Sequence, residues 1–101
     1  MGAIEIKRGD KCIEITLGKE LDISQASHLK EKFDEVFAAH LPMKLTLDAI
    51  ERIDTAVTQL IVAFYQSARS RDIPLICPLP SSQFAQALRL LGLSQVIELP
   101  A

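Results

Sequence analysis

The sequence predicts an α/β domain: a mixed sheet of about four to five strands with helices packed on it, in the order ββαβαβαβ. Three observations carry this expectation. Residues 1–17 alternate apolar and polar side chains in two short runs separated by a turn. The chain then switches to three stretches whose apolar residues recur at helical spacing, alternating with short apolar runs. Finally, 101 residues with 49% hydrophobic and 24% charged content leave room for one core and no second, so a single domain over residues 1–101 is expected.

Ala3 to Lys7 puts Ile4 and Ile6 on one face, and Lys11 to Leu17 does the same with Ile13, Ile15 and Leu17. Arg8-Gly9-Asp10 between them supplies turn chemistry, giving an amino-terminal hairpin. Asp22 followed three residues later by Gln25 forms a capping-box-like start, after which Ala26, Leu29, Phe33, Val36 and Phe37 share a helical stripe. Lys30, Glu31, Lys32, Asp34 and Glu35 form its solvated face, and Leu41-Pro42 stops the helix. Lys44 to Asp48 reads as a strand and Ala49 to Ile53 as a connecting loop. A second helix opens at Asp54-Thr55 and carries Val57, Leu60, Ile61, Phe64 and Ala68 on one stripe, where Val57 and Phe64 read as core. Arg69 and Arg71 end it, where cations suit the helix dipole. Ile73 to Cys77, with Pro74 at its start, reads as a strand. A third helix opens at Ser81 or Ser82 and carries Phe84, Leu88 and Leu91, with Gly92 at its C′ position. Val96 to Leu99 forms a last short strand.

Charge and composition exclude several function classes. Lys+Arg 11 against Asp+Glu 13 gives a formal net charge of -2, and the basic residues are scattered, so no stripe is present to bind nucleic acid. The opening Met1-Gly2-Ala3-Ile4-Glu5 reaches an acidic residue at once, and no apolar run has the length of a signal core or a membrane span. Cytoplasmic residence without direct membrane insertion is expected. Lys7 stands where a myristoylation motif wants Ser or Thr. Cys12 and Cys77 fall far apart within predicted strands and read as buried free thiols of a reducing compartment.

Catalytic chemistry finds no constellation. His28 and His40 have no cysteine or histidine at metal-ligand spacing and no nucleophile motif beside them. Neither phosphate-cradling glycine motif occurs. No metal, no cofactor and no enzymatic activity are expected. Acidic residues do gather at one strand-to-helix junction, Asp48, Glu51 and Asp54, where an α/β fold tends to bind its ligands. Asp48 lacks the acidic pair and late lysine that a receiver-type phosphoacceptor requires. Asp54-Thr55 reads in two ways. It is a helix cap, or it is a hydroxyl in the first turn whose neighbouring free N–H groups would stabilise an added phosphate.

Gly18-Lys19-Glu20-Leu21-Asp22, following an amino-terminal hairpin, resembles the Gly-x-Leu-Asp signature of STAS domains. Arg52-Ile53-Asp54-Thr55 resembles their Asp-[Ser/Thr] regulatory segment, and Leu91-Gly92-Leu93 before a short strand resembles their closing helix. The resemblance implies a small signalling adaptor like the anti-sigma-factor antagonists, binding an anti-sigma factor, a serine/threonine kinase or another signalling protein, as a monomer or weak homodimer. It implies that a partner kinase phosphorylates Thr55, that Asp54 orients the hydroxyl or assists the kinase, and that Asp22, Ser24 and Thr58 join Asp54 and Thr55 in partner binding. The best-known antagonists continue with Gly-Leu-Gly after the Asp-Ser pair, whereas this chain continues Ala56-Val57-Thr58-Gln59-Leu60. That departure is closer to stand-alone STAS proteins of chemotaxis gene clusters and to the STAS subunit of a lipid-transport ABC system. In the latter the same surface would dock on the ATPase constitutively, without phosphorylation.

Overall fold

The hairpin forms as its alternation dictates. β1 (Ile4–Arg8) and β2 (Ile13–Leu17) are antiparallel, with Ile6 opposite Ile15 and Arg8 opposite Ile13. The turn closes with the Gly9 N–H donating to the Cys12 carbonyl at 2.9 Å, and a Cβ at Gly9 would come within 3.1 Å of that oxygen. The computed structural model describes residues 4–77 and 82–93. The strand expected over Val96–Leu99, and Ser81, lie outside them.

β4 (Met43–Thr46) runs parallel to β2, and β6 (Leu75–Ile76) parallel to β4, giving the sheet order β1-β2-β4-β6. The period of two sorts the faces. Ile13, Ile15, Leu17, Met43 and Leu45 are buried under the helices. Lys7, Glu14 and Lys44 form a cross-strand row on the opposite face, with Lys44 Nζ 3.8 Å from the Glu14 carboxylate. One covered and one wetted face is the expected result where a polar residue follows each apolar one.

Among the described residues three helices supply the other layer: α1 (Ala26–Phe37), α2 (Thr55–Ser70) and α3 (Ser82–Leu90). Most of the predicted stripe residues are buried: Leu29, Phe33, Val36 and Phe37 on α1, Val57, Ile61, Phe64 and Ala68 on α2, Phe84 and Leu88 on α3. Ala26, Leu60 and Leu91 are only partly covered, and α2 also buries Thr58, Val62 and Tyr65. Phe33 stacks on Phe64 with ring centroids 4.1 Å apart, and Phe37 tilts against Phe64 at 5.1 Å. Such pairs add about 0.5–1.5 kcal/mol beyond the area they bury. The Arg71 guanidinium lies over the Phe37 ring, 4.4 Å from its centroid.

The structure departs from the sequence expectation at four places. Residues Arg52–Ile53, expected as loop, form a two-residue strand, β5, parallel to an unforeseen β3 (Glu20–Leu21). The strand expected over Lys44–Asp48 begins one residue earlier and stops at Thr46, because the chain turns there to bury Leu47 and Ile50. The strand expected over Ile73–Cys77 is laddered only at Leu75–Ile76. Pro74 has no N–H to give, though its carbonyl accepts from Met43 N–H at 2.8 Å. Cys12, expected buried, is exposed, because it precedes β2 on the same side as Glu14 rather than with Ile13.

Candidate functional site: two capped helix starts and an acidic groove

The short β3/β5 pair fixes the site. Lys19 O accepts from both Glu51 N–H (2.8 Å) and Arg52 N–H (3.0 Å), and Leu21 O accepts from Asp54 N–H at 3.1 Å. With Glu20 opposite Arg52 and Leu21 opposite Ile53, Asp22 and Asp54 each follow the end of one of two parallel strands and emerge side by side. Each aspartate then starts a helical segment.

Both carboxylates are committed to capping. Asp22 Oδ1 accepts from Ser24 N–H at 2.9 Å and also from the Ser24 hydroxyl, while Asp22 N–H donates back to Gln25 Oε1 at 2.9 Å. This reciprocal pair starts the 3-10 turn Ile23–Gln25 that leads into α1. Asp54 Oδ1 accepts from Val57 N–H at 2.9 Å and caps α2. Such caps are worth about 1 kcal/mol each.

Thr55, the first residue of α2, is exposed. Its hydroxyl stands at the positive end of a 16-residue helix, where an anion is favoured by the dipole and the free N–H groups. Asp22 and Ser24 are exposed and Asp54 is half-buried, and Asp22 and Asp54 line the same groove. Thr58 does not join them. It is fully buried, and its hydroxyl donates to Asp54 O at 2.9 Å, so its role is to hold the cap from within.

Beside the two caps lies a groove of about 520 Å³. One wall is the β3/β5 pair, where Glu20, Asp22, Glu51 and Asp54 set four carboxylates against the single guanidinium of Arg52. The other wall is α3, through Gln83, Gln86, Ala87 and Leu90. Leu90 is 80% exposed at the rim, and Ile23, next to Asp22, is 70% exposed. Among the described residues these are two of the three large apolar side chains left in water, and Leu90 lines the groove. Of the acidic cluster read in the sequence, Glu51 and Asp54 line the groove, while Asp48 is exposed away from it. The α3 wall was missed, although its signal was present: Leu90 falls off the Phe84–Leu88–Leu91 stripe. No three His, Cys, Asp or Glu side chains among the described residues converge as a metal site, and no helix among them is long and apolar enough to cross a membrane.

Among the described residues the architecture is a mixed sheet covered on one face by helices, with two capped helix starts beside a groove. The STAS domain family model matches residues 3–101, and the chain belongs to that family. The structure is similar to TM1081 of Thermotoga maritima (TM-score 0.77, 25% identity, covering 94% of this chain and 78% of that one). It is also similar to the phosphorylated form of the Bacillus cell fate determinant SpoIIAA (TM-score 0.73, 15% identity, 98% and 92% covered). RsbS of Moorella thermoacetica matches with a TM-score of 0.77 at 14% identity, over 98% of this chain and 86% of that one. No curated protein sequence matches significantly.

Proposed function

We propose that this chain is a protein-binding signalling module of the anti-sigma-factor-antagonist kind, acting through the face built by the two capped helix starts and the acidic groove. Its binding is switched by phosphorylation of Thr55 by a partner serine/threonine kinase. The observation that carries this reading is Thr55 itself: an exposed hydroxyl at the first position of α2, beside a carboxylate already occupied with capping. The Bacillus relative of the same fold, solved in a phosphorylated form, supports it.

A phosphate adds about -1.5 to -2 charges at neutral pH, comparable with the formal charge of -2 on the whole chain. Within the free protein the α2 dipole offsets part of its cost. Across an interface the cost is desolvation: a partner fitted to the neutral Thr55 hydroxyl would have to bury a dianion and strip its water. A hundredfold loss of affinity needs about 2.8 kcal/mol, within the penalty for an unpaired charge buried in an interface. The module has no catalytic role of its own in this scheme.

The test is incubation of the protein with the kinase encoded nearest to it and ATP, with the phosphosite mapped by mass spectrometry. The phosphate is expected on Thr55, and Thr55→Glu is expected to weaken partner binding at least tenfold while Thr55→Ala binds but accepts no phosphate. Modification at another residue, or binding indifferent to both substitutions, overturns the switch. A stable stoichiometric complex with an ABC ATPase, formed without phosphate, would establish instead the constitutive docking that Ala56-Val57-Thr58 suggests in place of glycines.

A further inference from the structure

We propose that β1 is a self-association edge: two copies of this chain pair antiparallel through their β1 strands about a two-fold axis at Ile6, each Glu5 facing the Lys7 of the other copy. β1 is the outer strand of the sheet, and among the described residues no strand lies on its far side. The main-chain direction follows from the turn. Gly9 N–H bonds to Cys12 O across the hairpin, so the strict alternation of an antiparallel ladder assigns the main-chain groups of Lys7 and Glu5 to β2. Those of Ile4, Ile6 and Arg8 are left on the open side. A row of open N–H and C=O groups is a template for another strand.

Charge then selects the register. A two-fold axis at Glu5 sets that carboxylate against its own copy, and an axis at Lys7 sets two ammonium groups against each other; like charges directly opposite are destabilising. An axis at Ile6 instead pairs Glu5 with Lys7 twice. In that register the Ile6 residues exchange both of their outward main-chain hydrogen bonds, and each Ile4 meets an Arg8 in the same way. The cross-strand row Lys44–Glu14–Lys7 gains the second copy's Glu5 as its next member, so the signs alternate without a break across the junction. On the helix-covered face Ile4 and Ile6, half-buried in one copy, gain cover from each other. β1 shares no residue with the acidic groove, so this inference and the proposed switch stand or fall separately.

Sedimentation velocity on the full chain from about 10 µM to about 1 mM reads the equilibrium. A monomer–dimer equilibrium is expected. Glu5→Lys alone or Lys7→Glu alone is expected to weaken the dimer about tenfold or more, and the double reversal Glu5→Lys/Lys7→Glu to restore it. Glu5 and Lys7 are exposed, and circular dichroism will show each variant folded. A chain monomeric up to the highest concentration, or single and double variants that associate alike, overturns the proposal. Cysteine cross-linking in a Cys12→Ser background gives an independent reading. Ile6→Cys should oxidise to a covalent dimer, since directly opposed residues lie about 5.5 Å apart between Cα atoms. Glu5→Cys, offset from its copy by two residues, should not. Equal cross-linking at the two positions overturns the register.

Discussion

Cys12 and Cys77 are the same side chain in opposite circumstances. Cys77 is buried, and loss of hydration for the thiolate pushes its pKa from 9.0 up to about 11. Because the folded chain holds that proton more tightly than the unfolded chain does, the contribution to stability is complete below pH 9. It is lost as the pH rises through about 11. Since the thiolate is the nucleophile, Cys77 is inert at moderate pH while Cys12, exposed at the hairpin, is open to reagent. Iodoacetamide at pH 8 should therefore add one label per native chain, at Cys12, and two in denaturant; two labels on the native chain, read by mass spectrometry, would contradict the burial of Cys77. The sequence placed both thiols inside because it weighed the general burial of cysteine above local period. The period was the better guide, since Cys12 shares its side of the hairpin with Glu14.

Helix ends show how far local chemistry carries. α3 and α2 close with the same pair of bonds: Gly92 N–H to Arg89 O (3.1 Å) with Leu93 N–H to Leu88 O (2.8 Å), and Asp72 N–H to Arg69 O (3.1 Å) with Ile73 N–H to Ala68 O (2.9 Å). The residue at the turning point is left-handed in both, with φ 69° at Gly92 and 56° at Asp72. Glycine takes that conformation freely, whereas an aspartate pays a steric cost and also sets a negative charge at the negative end of α2. Asp72→Gly should stabilise the fold by about 0.5–1 kcal/mol, after allowance for the greater freedom of glycine in the unfolded chain. That corresponds to a rise in Tm of roughly 2–8 °C for a domain of this size. Asp72→Asn, which removes the charge and keeps the Cβ, should fall between; thermal denaturation followed by circular dichroism checks the order, and a lower Tm for the glycine variant refutes it. The Asp22 and Asp54 caps and the C′ role of Gly92 were legible in the sequence because each rests on residues within one helical turn. β3 and β5 were not. Two-residue strands carry no period, and only the meeting of Lys19 with Glu51 and Arg52, some thirty positions away in sequence, makes them strands.

At the scale of the whole molecule the sheet, the helices and the groove divide the surface into parts with different duties. The far face of the sheet is a charge-alternating row, the α1–α2 contact is spent on aromatic packing, and the acidic groove with Leu90 in its α3 wall is the surface proposed to bind. Both walls of that groove are held by long-range contacts: α3 packs on β5 and α2, and β3 pairs with β5. This is why the sequence indicated the junction at Asp54 but not its opposite wall. If the groove docks the kinase that modifies Thr55, Leu90 is the apolar anchor and the carboxylates give the attraction its sign. Leu90→Asp places a charge in the anchor position at a site 80% exposed, so the fold should keep its stability within about 0.5 kcal/mol. Affinity for the kinase, measured by calorimetry, should fall tenfold or more, because a hot-spot anchor is lost and a carboxylate would have to be desolvated in its apolar contact. Wild-type affinity should also decline as salt rises from about 0.05 to about 0.5 M, since exposed charges are screened over a shortening distance. Unchanged affinity for Leu90→Asp at unchanged Tm would move the docking surface off α3 and onto the helix starts alone.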